Sequence, residues 1–160
     1  GQLGFQKAPS YIQNSPALNM ARGYNRENRP PGTKTAEQDK HYKAMDALVR
    51  MHREHEVDQK VIDKYIEEGL IDRADVHTAR DEAKEPPMAR AAKGLSIIQI
   101  LNVWQAATPE ERKELRPIIR DKQYMIHDER SLARRAQLRD AYQKVMSAPV
   151  EAVKSIPGLT

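Results

Sequence analysis

The segment that most constrains this chain is short. Ile97, Ile98, Ile100, Leu101, Val103 and Trp104 fall within eight consecutive positions. At helical spacing they cover nearly the whole circumference, and a helix apolar on most sides is buried on most sides. Ser96 is placed to cap it. The apolar-rich stretch from Leu95 to Ala107 is interrupted by Ser96, Gln99, Asn102 and Gln105, and it falls short of the ~20 residues a bilayer span requires. It is therefore expected at the centre of a packed domain, with Trp104 as core anchor.

Helical grammar continues on both sides. Thr108-Pro109-Glu110-Glu111 supplies a cap, a proline at the first helical position and an acidic residue at the third. The helix it opens carries Leu115, Ile118 and Ile119, with Pro117 expected to kink it or end its first part. Thr35 and Gln38 have capping-box spacing before Tyr42, Met45, Leu48, Val49 and His52, one stripe at steps of three and four. A helix from Asp58 to Glu68 presents Val61, Ile62, Tyr65 and Ile66, and Gly69 is a C-terminal stop. Asp72 caps a short helix containing Ala74, Val76 and Ala79, and Pro86-Pro87 then breaks the chain. A last helix, Glu129 to Met146, places Leu132, Leu138, Tyr142 and Val145 on one face.

No run alternates apolar and polar residues with β-branched enrichment, so no strand is expected. Only 5% of the residues are aromatic and 31% are charged, which favours thin helix-on-helix packing over a large core. Residues 1–34, interrupted by Pro9, Pro16, Pro30 and Pro31, read as an extended basic arm, and residues 147–160 as a second arm. The expected architecture is all-α: a small bundle of five or six short helices over residues 35–146, flanked by extended Pro-rich arms.

Charge is unevenly spread. Residues 1–33 carry a net +3, residues 37–85 carry 9 basic and 14 acidic side chains, and residues 86–146 carry 12 basic and 7 acidic. Opposite regions of such a chain attract one another or neighbouring copies.

The sequence argues against most catalytic classes. With no cysteine there is no disulfide, thiol nucleophile or Cys-ligated zinc, as in a reducing compartment. His52-Arg53-Glu54-His55-Glu56, with His41 three turns earlier, is the nearest approach to a metal cluster. It matches neither His-Glu-x-x-His nor His-x-x-Glu-His. Glu67-Glu68, Asp81-Glu82 and Glu110-Glu111 sit at helix ends or on polar faces, where the helix dipole accounts for them. There is no Gly-rich phosphate loop and no nucleophile elbow. No cofactor is expected and the chain reads as a non-enzyme.

The arginines are the candidate contact residues: Arg22, Arg26 and Arg29 in the first arm, and Arg130, Arg134, Arg135 and Arg139 in the last helix, preceded by Arg116, Arg120 and Lys122. Such spacing suits phosphate contacts, but Asp128, Glu129 and Asp140 interleave and no base-stacking aromatic platform is present. The first group also suits the cytoplasmic flank of a membrane segment.

Two phrases, ARGYNRENRPPGTKTAEQDK (Ala21 to Lys40) and NVWQAATPEERKELRPIIRDK (Asn102 to Lys122), resemble a helical segment of large, uncharacterised bacterial and prophage-like proteins, some of which look membrane-embedded upstream. The resemblance spans about residues 21–125. It implies a module of a larger assembly at a cytoplasmic face and transfers no functional residues. The chain opens on Gly1 and shows no signal-peptide pattern, so a processed product or a piece of a longer polypeptide is expected.

These readings converge on a non-catalytic scaffolding subunit or segment that docks on protein partners, with a membrane-protein neighbour as one partner class. The alternatives are a nucleic-acid-binding module using the Arg-rich last helix, and a virion or ejection-type structural protein. The expected location is the cytoplasm or the cytoplasmic face of a membrane.

Overall fold

The computed structural model describes residues 15–30 and 35–149. All the regular structure there is helical, as expected. The chain forms two compact units. Of the described residues, one takes 29–30 and 35–86, the other 15–28 together with 87–149. The single helical domain expected over 35–146 is thus divided, and the division falls between Pro86 and Pro87, where the net charge also changes sign.

The 29–86 unit contains helix α2 (Thr35–Arg53), α3 (Gln59–Glu67) and α4 (Arg73–Glu82), with α2 packed on α4. Its core is Ala44, Met45, Leu48, Val49, Ile62, Ile71 and Ala79. Each buried Leu or Ile contributes about 1.5–3 kcal/mol. Asp58 caps α3 through Lys60 N–H (3.0 Å), and Asp72 caps α4 in a capping box with Asp75. Gly69 ends α3 with φ +75, and the 70–72 turn leads directly into α4. His41 Nδ1–H, on α2, donates to the Leu70 carbonyl at 2.8 Å and ties that turn to the long helix. Helix α2 begins at Thr35, near which a start was expected.

The other unit holds α1 (Pro16–Glu27), α5 (Pro87–Ala92), α6 (Ile97–Ala106), α7 (Pro109–Asp121), α8 (Tyr124–His127) and α9 (Leu132–Ser147). Helix α1 packs on α5 and α6, α7 on α5 and α6, and α9 on α6, α7 and α8. As expected, α6 is the central element: Ile97, Ile100, Leu101, Val103 and Trp104 are all buried. Its outward stripe is Ile98, Asn102 and Gln105, at positions i, i+4 and i+7. Ser96 and Thr108 form full capping boxes with Gln99 and Glu111.

Four expectations are corrected. Residues 16–27 are helical, not extended, because Ser15 caps Leu18 N–H at 3.0 Å and Pro16 stands at the first helical position, where its missing donor is harmless. The remainder of that arm up to residue 14, residues 31–34, and the second arm from residue 150 onward lie outside the described residues. Helix α7 continues through Pro117 to Asp121. Pro117 and Lys113, whose carbonyl loses its helical donor, are both exposed, so that carbonyl can turn to water instead of forcing a break. Pro87 opens α5 rather than only interrupting the chain. Leu132, expected on the inner face of α9, is 75% exposed while Leu138 and Val145 are buried. Six residues turn a helix by about 240°, which carries Leu132 away from Leu138.

Candidate interaction surface

The candidate arginines divide into two sets. One set is committed inside the fold. Arg29 pairs with Asp39 and lies over the Tyr42 ring, 4.3 Å from its centroid. Tyr42 in turn meets His41 edge-on at 5.3 Å. Arg135 reaches back across the start of α9 and donates to the Glu129 carbonyl from Nε (3.0 Å) and from a terminal nitrogen (2.5 Å). These two hold loops and helix ends in place, the ordinary work of a forked donor. Arg22 is exposed on α1 and takes part in the local contact network.

The second set points outward. Arg26, Arg130, Arg134 and Arg139 are exposed, and their side chains make no ion pair or hydrogen bond with any described residue. Arg26 follows Arg22 by one turn on α1. Arg134 and Arg139 are five positions apart, about 140° around α9, so the last helix does not gather its arginines into a single stripe. Arg135 and Arg139, four apart, share the outer face with Leu132, Ala136 and Gln143. This face holds the most exposed large apolar side chain among the described residues, flanked by guanidinium groups.

A third group of arginines lies on α7, where the sequence reading named Arg116 only as a phosphate-contact candidate and did not name Arg112. Arg112 lies over the Trp104 ring at 4.9 Å and Arg116 at 5.6 Å. Arg112 Nε also donates to the Trp104 carbonyl at 3.0 Å, and a terminal nitrogen of Arg116 donates to the Ala148 carbonyl. Two cations thus roof an indole that is itself 4% exposed. Burial lowers the Arg112 pKa from its ordinary value. Each cation–π contact is worth roughly 0.5–2 kcal/mol, more as water is excluded. Arg112 and Arg116 are eight and twelve residues after Trp104, and the tight 107–108 turn that folds α7 back along α6 is what brings them over its ring. The core-anchor role of Trp104 agrees with its burial.

The histidine run does not assemble a site. His52 Nδ1–H donates to the Leu48 carbonyl of its own helix at 2.9 Å, and His55 projects from the exposed end of α2 in a left-handed conformation, φ 57. His41 is committed to Leu70. Among the described residues no three His, Cys, Asp or Glu side chains are grouped to hold a metal ion. No described helix is long and apolar enough to cross a membrane.

No protein-family model matches this chain, and no curated protein or solved structure matches it either.

Proposed function

We propose that this chain is a non-catalytic structural segment that docks on a neighbouring protein in a larger assembly through the charged surface of its 87–149 portion. The observation that carries this reading is the division of the arginines. Arg112, Arg116 and Arg135 are consumed in packing, whereas Arg130, Arg134 and Arg139 are held on an ordered scaffold with no described partner. Arginine and exposed apolar side chains together are the composition of docking patches. A membrane-protein neighbour or a virion-type assembly would supply such a surface equally well.

The test is a comparison of the wild-type chain with a R130E/R134E/R139E variant. The variant should melt within a few degrees of wild type, since none of the three side chains holds the fold. Protein partners captured by wild type should be lost by the variant. Retention of all partners by a folded variant would remove the surface from consideration.

Nucleic-acid binding is the second reading, favoured by the excess of basic side chains from residue 86 to 146. Titration with a short duplex separates the two. A phosphate-binding surface loses affinity steeply as salt rises, with a slope near the number of phosphates neutralised. A protein-docking surface shows no affinity for the duplex.

A further inference from the structure

The two units carry mirror-image exposed corners. In the basic unit, Leu132 is 75% exposed at the start of α9. Arg130 lies two residues before it, and Arg139 follows two turns later on the same face, beyond Arg135, which is committed to the Glu129 carbonyl. In the acidic unit, Val57 is 47% exposed in the turn between α2 and α3. It is set in the run Glu54-His55-Glu56-Val57-Asp58, with Asp63 one turn into α3. His55, in its left-handed conformation, turns the chain sharply at the end of α2, so that residues 55–60 are all exposed. Each corner combines an exposed aliphatic side chain with an excess of one charge, acidic at Glu54, Glu56, Asp58 and Asp63 against Lys60, and basic at Arg130, Arg134 and Arg139 against Asp128 and Asp140.

We propose that these corners bind one another between copies of this chain, head to tail: the Glu56-Val57-Asp58 turn of one molecule seats on the Leu132–Arg139 face of the next. This rests on the docking reading above and names its partner as a second copy. Three features favour that occupant over an unrelated one. The charges are complementary. Each corner offers an apolar contact, which a phosphate backbone has no use for. The two corners are different surfaces, so each molecule keeps one corner open and can accept a further copy, as heterologous contacts do. A contact of this small size is weak and salt-sensitive, suited to a segment held at high local concentration in an assembly.

The experiment is sedimentation velocity on the full chain over a wide range of concentration, at low and at high salt, with the variants V57D and L132D. Both residues are exposed, so both variants should melt as wild type does. Wild type should exceed its monomer mass of 18.3 kDa as concentration rises, and should return to it at high salt. Each variant alone should associate at least tenfold more weakly, by analogy with the loss of an interface anchor. An equimolar mixture should recover association, because V57D retains the Leu132 face and L132D retains the Val57 corner. That mixture should stop at a heterodimer, since both remaining corners are damaged. A wild-type chain that stays monomeric throughout, or association that neither substitution weakens, would overturn the proposal. If wild type is monomeric while R130E/R134E/R139E still loses captured partners, the docking reading stands and only the second copy is excluded.

Discussion

Ser15 Oγ donates to Glu111 Oε2 at 2.5 Å, across 96 residues of sequence, with both side chains buried. The same hydroxyl accepts Leu18 N–H at the start of α1, and the other oxygen of the same carboxylate accepts Thr108 N–H at the start of α7 at 2.9 Å. Two helix caps are thereby joined through one carboxylate. A carboxylate with hydrogen bonds at both oxygens is satisfied in a place where an unpaired one would be costly.

Substitutions at this junction should therefore be graded. Ser15→Ala removes a cap and leaves a buried carboxylate oxygen unpaired, at a cost of roughly 2–3 kcal/mol. Glu111→Ala should cost as much or more, because both caps lose a partner. Glu111→Gln should be mildest, since an amide still accepts from Thr108 and can donate to Ser15. Chemical denaturation of the three variants checks the order. Equal losses for Gln and Ala at position 111 would mean that the carboxylate itself, not the shape of the side chain, is what the junction requires.

Trp104 and its arginine roof give an optical test. Trp104→Ala should cost about 3–5 kcal/mol, the range for a truncated aromatic core residue. Arg112→Ala removes one cation–π contact and the bond to the Trp104 carbonyl, a loss of about 1–2 kcal/mol. Trp104 is the sole tryptophan, so its emission reports directly on the site. Arg112→Ala should shift that emission to the red as water reaches the ring, whereas Arg139→Ala should leave it unchanged.

Helices α2 and α3 end alike. Glu56 N–H bonds to Met51 O at 2.9 Å and His55 N–H to His52 O at 3.2 Å; Leu70 N–H bonds to Tyr65 O at 3.0 Å and Gly69 N–H to Ile66 O at 3.0 Å. Both are Schellman turns, yet the left-handed position holds glycine in one and histidine in the other. His55→Gly should stabilise the chain by several tenths of a kcal/mol, and Gly69→Ala should destabilise it by about 1 kcal/mol. Nothing lies within 4 Å of a Cβ added at Gly69, so the second cost is purely one of backbone conformation. Thermal melts of both variants, moving in opposite directions, are the expected result.

Lys122 Nζ donates to the Lys93 carbonyl at 2.9 Å, and partial burial lowers its pKa from the ordinary lysine value of 10.5. In the folded chain it should release its proton at lower pH than in the unfolded chain. NMR titration of the lysine Cε resonances measures this directly. The sign for stability follows. Below both pKa values the folded state bears the cost of a partly desolvated charge. As pH rises through the lowered folded value toward 10.5, the unfolded chain holds more protons, so this group makes stability increase with pH across that window. Titration of Lys122 at the ordinary lysine value would contradict the burial.

Much of the helical pattern is legible residue by residue, and where the reading went astray the cause is specific. Ser15-Pro16 opens α1 with the same cap-and-proline grammar as Thr108-Pro109. The prolines around it suggested an extended arm, and its apolar residues, Ala17, Leu18, Ala21 and Tyr24, are few and small. Helices α5 and α8, of 6 and 4 residues, are too short to present a period. The arginines could be listed in advance but not sorted. Arg135 and Arg139 look alike in sequence, and only the path of the chain before α9 puts the Glu129 carbonyl within reach of one of them.

The sequence alone determined the all-α class, the caps at Asp72, Ser96 and Thr108, the stop at Gly69, and the burial of Trp104. These depend on hydrogen bonds and side-chain periods spanning three or four residues, and such interactions are written locally. Tertiary structure alone decided the rest. It assembled one unit from residues on both sides of the other, joined Ser15 to Glu111, laid Arg112 and Arg116 over Trp104, and left Arg130, Arg134 and Arg139 facing outward. Contacts of that kind depend on which surfaces meet once the intervening chain has closed, and no spacing in the sequence encodes that meeting.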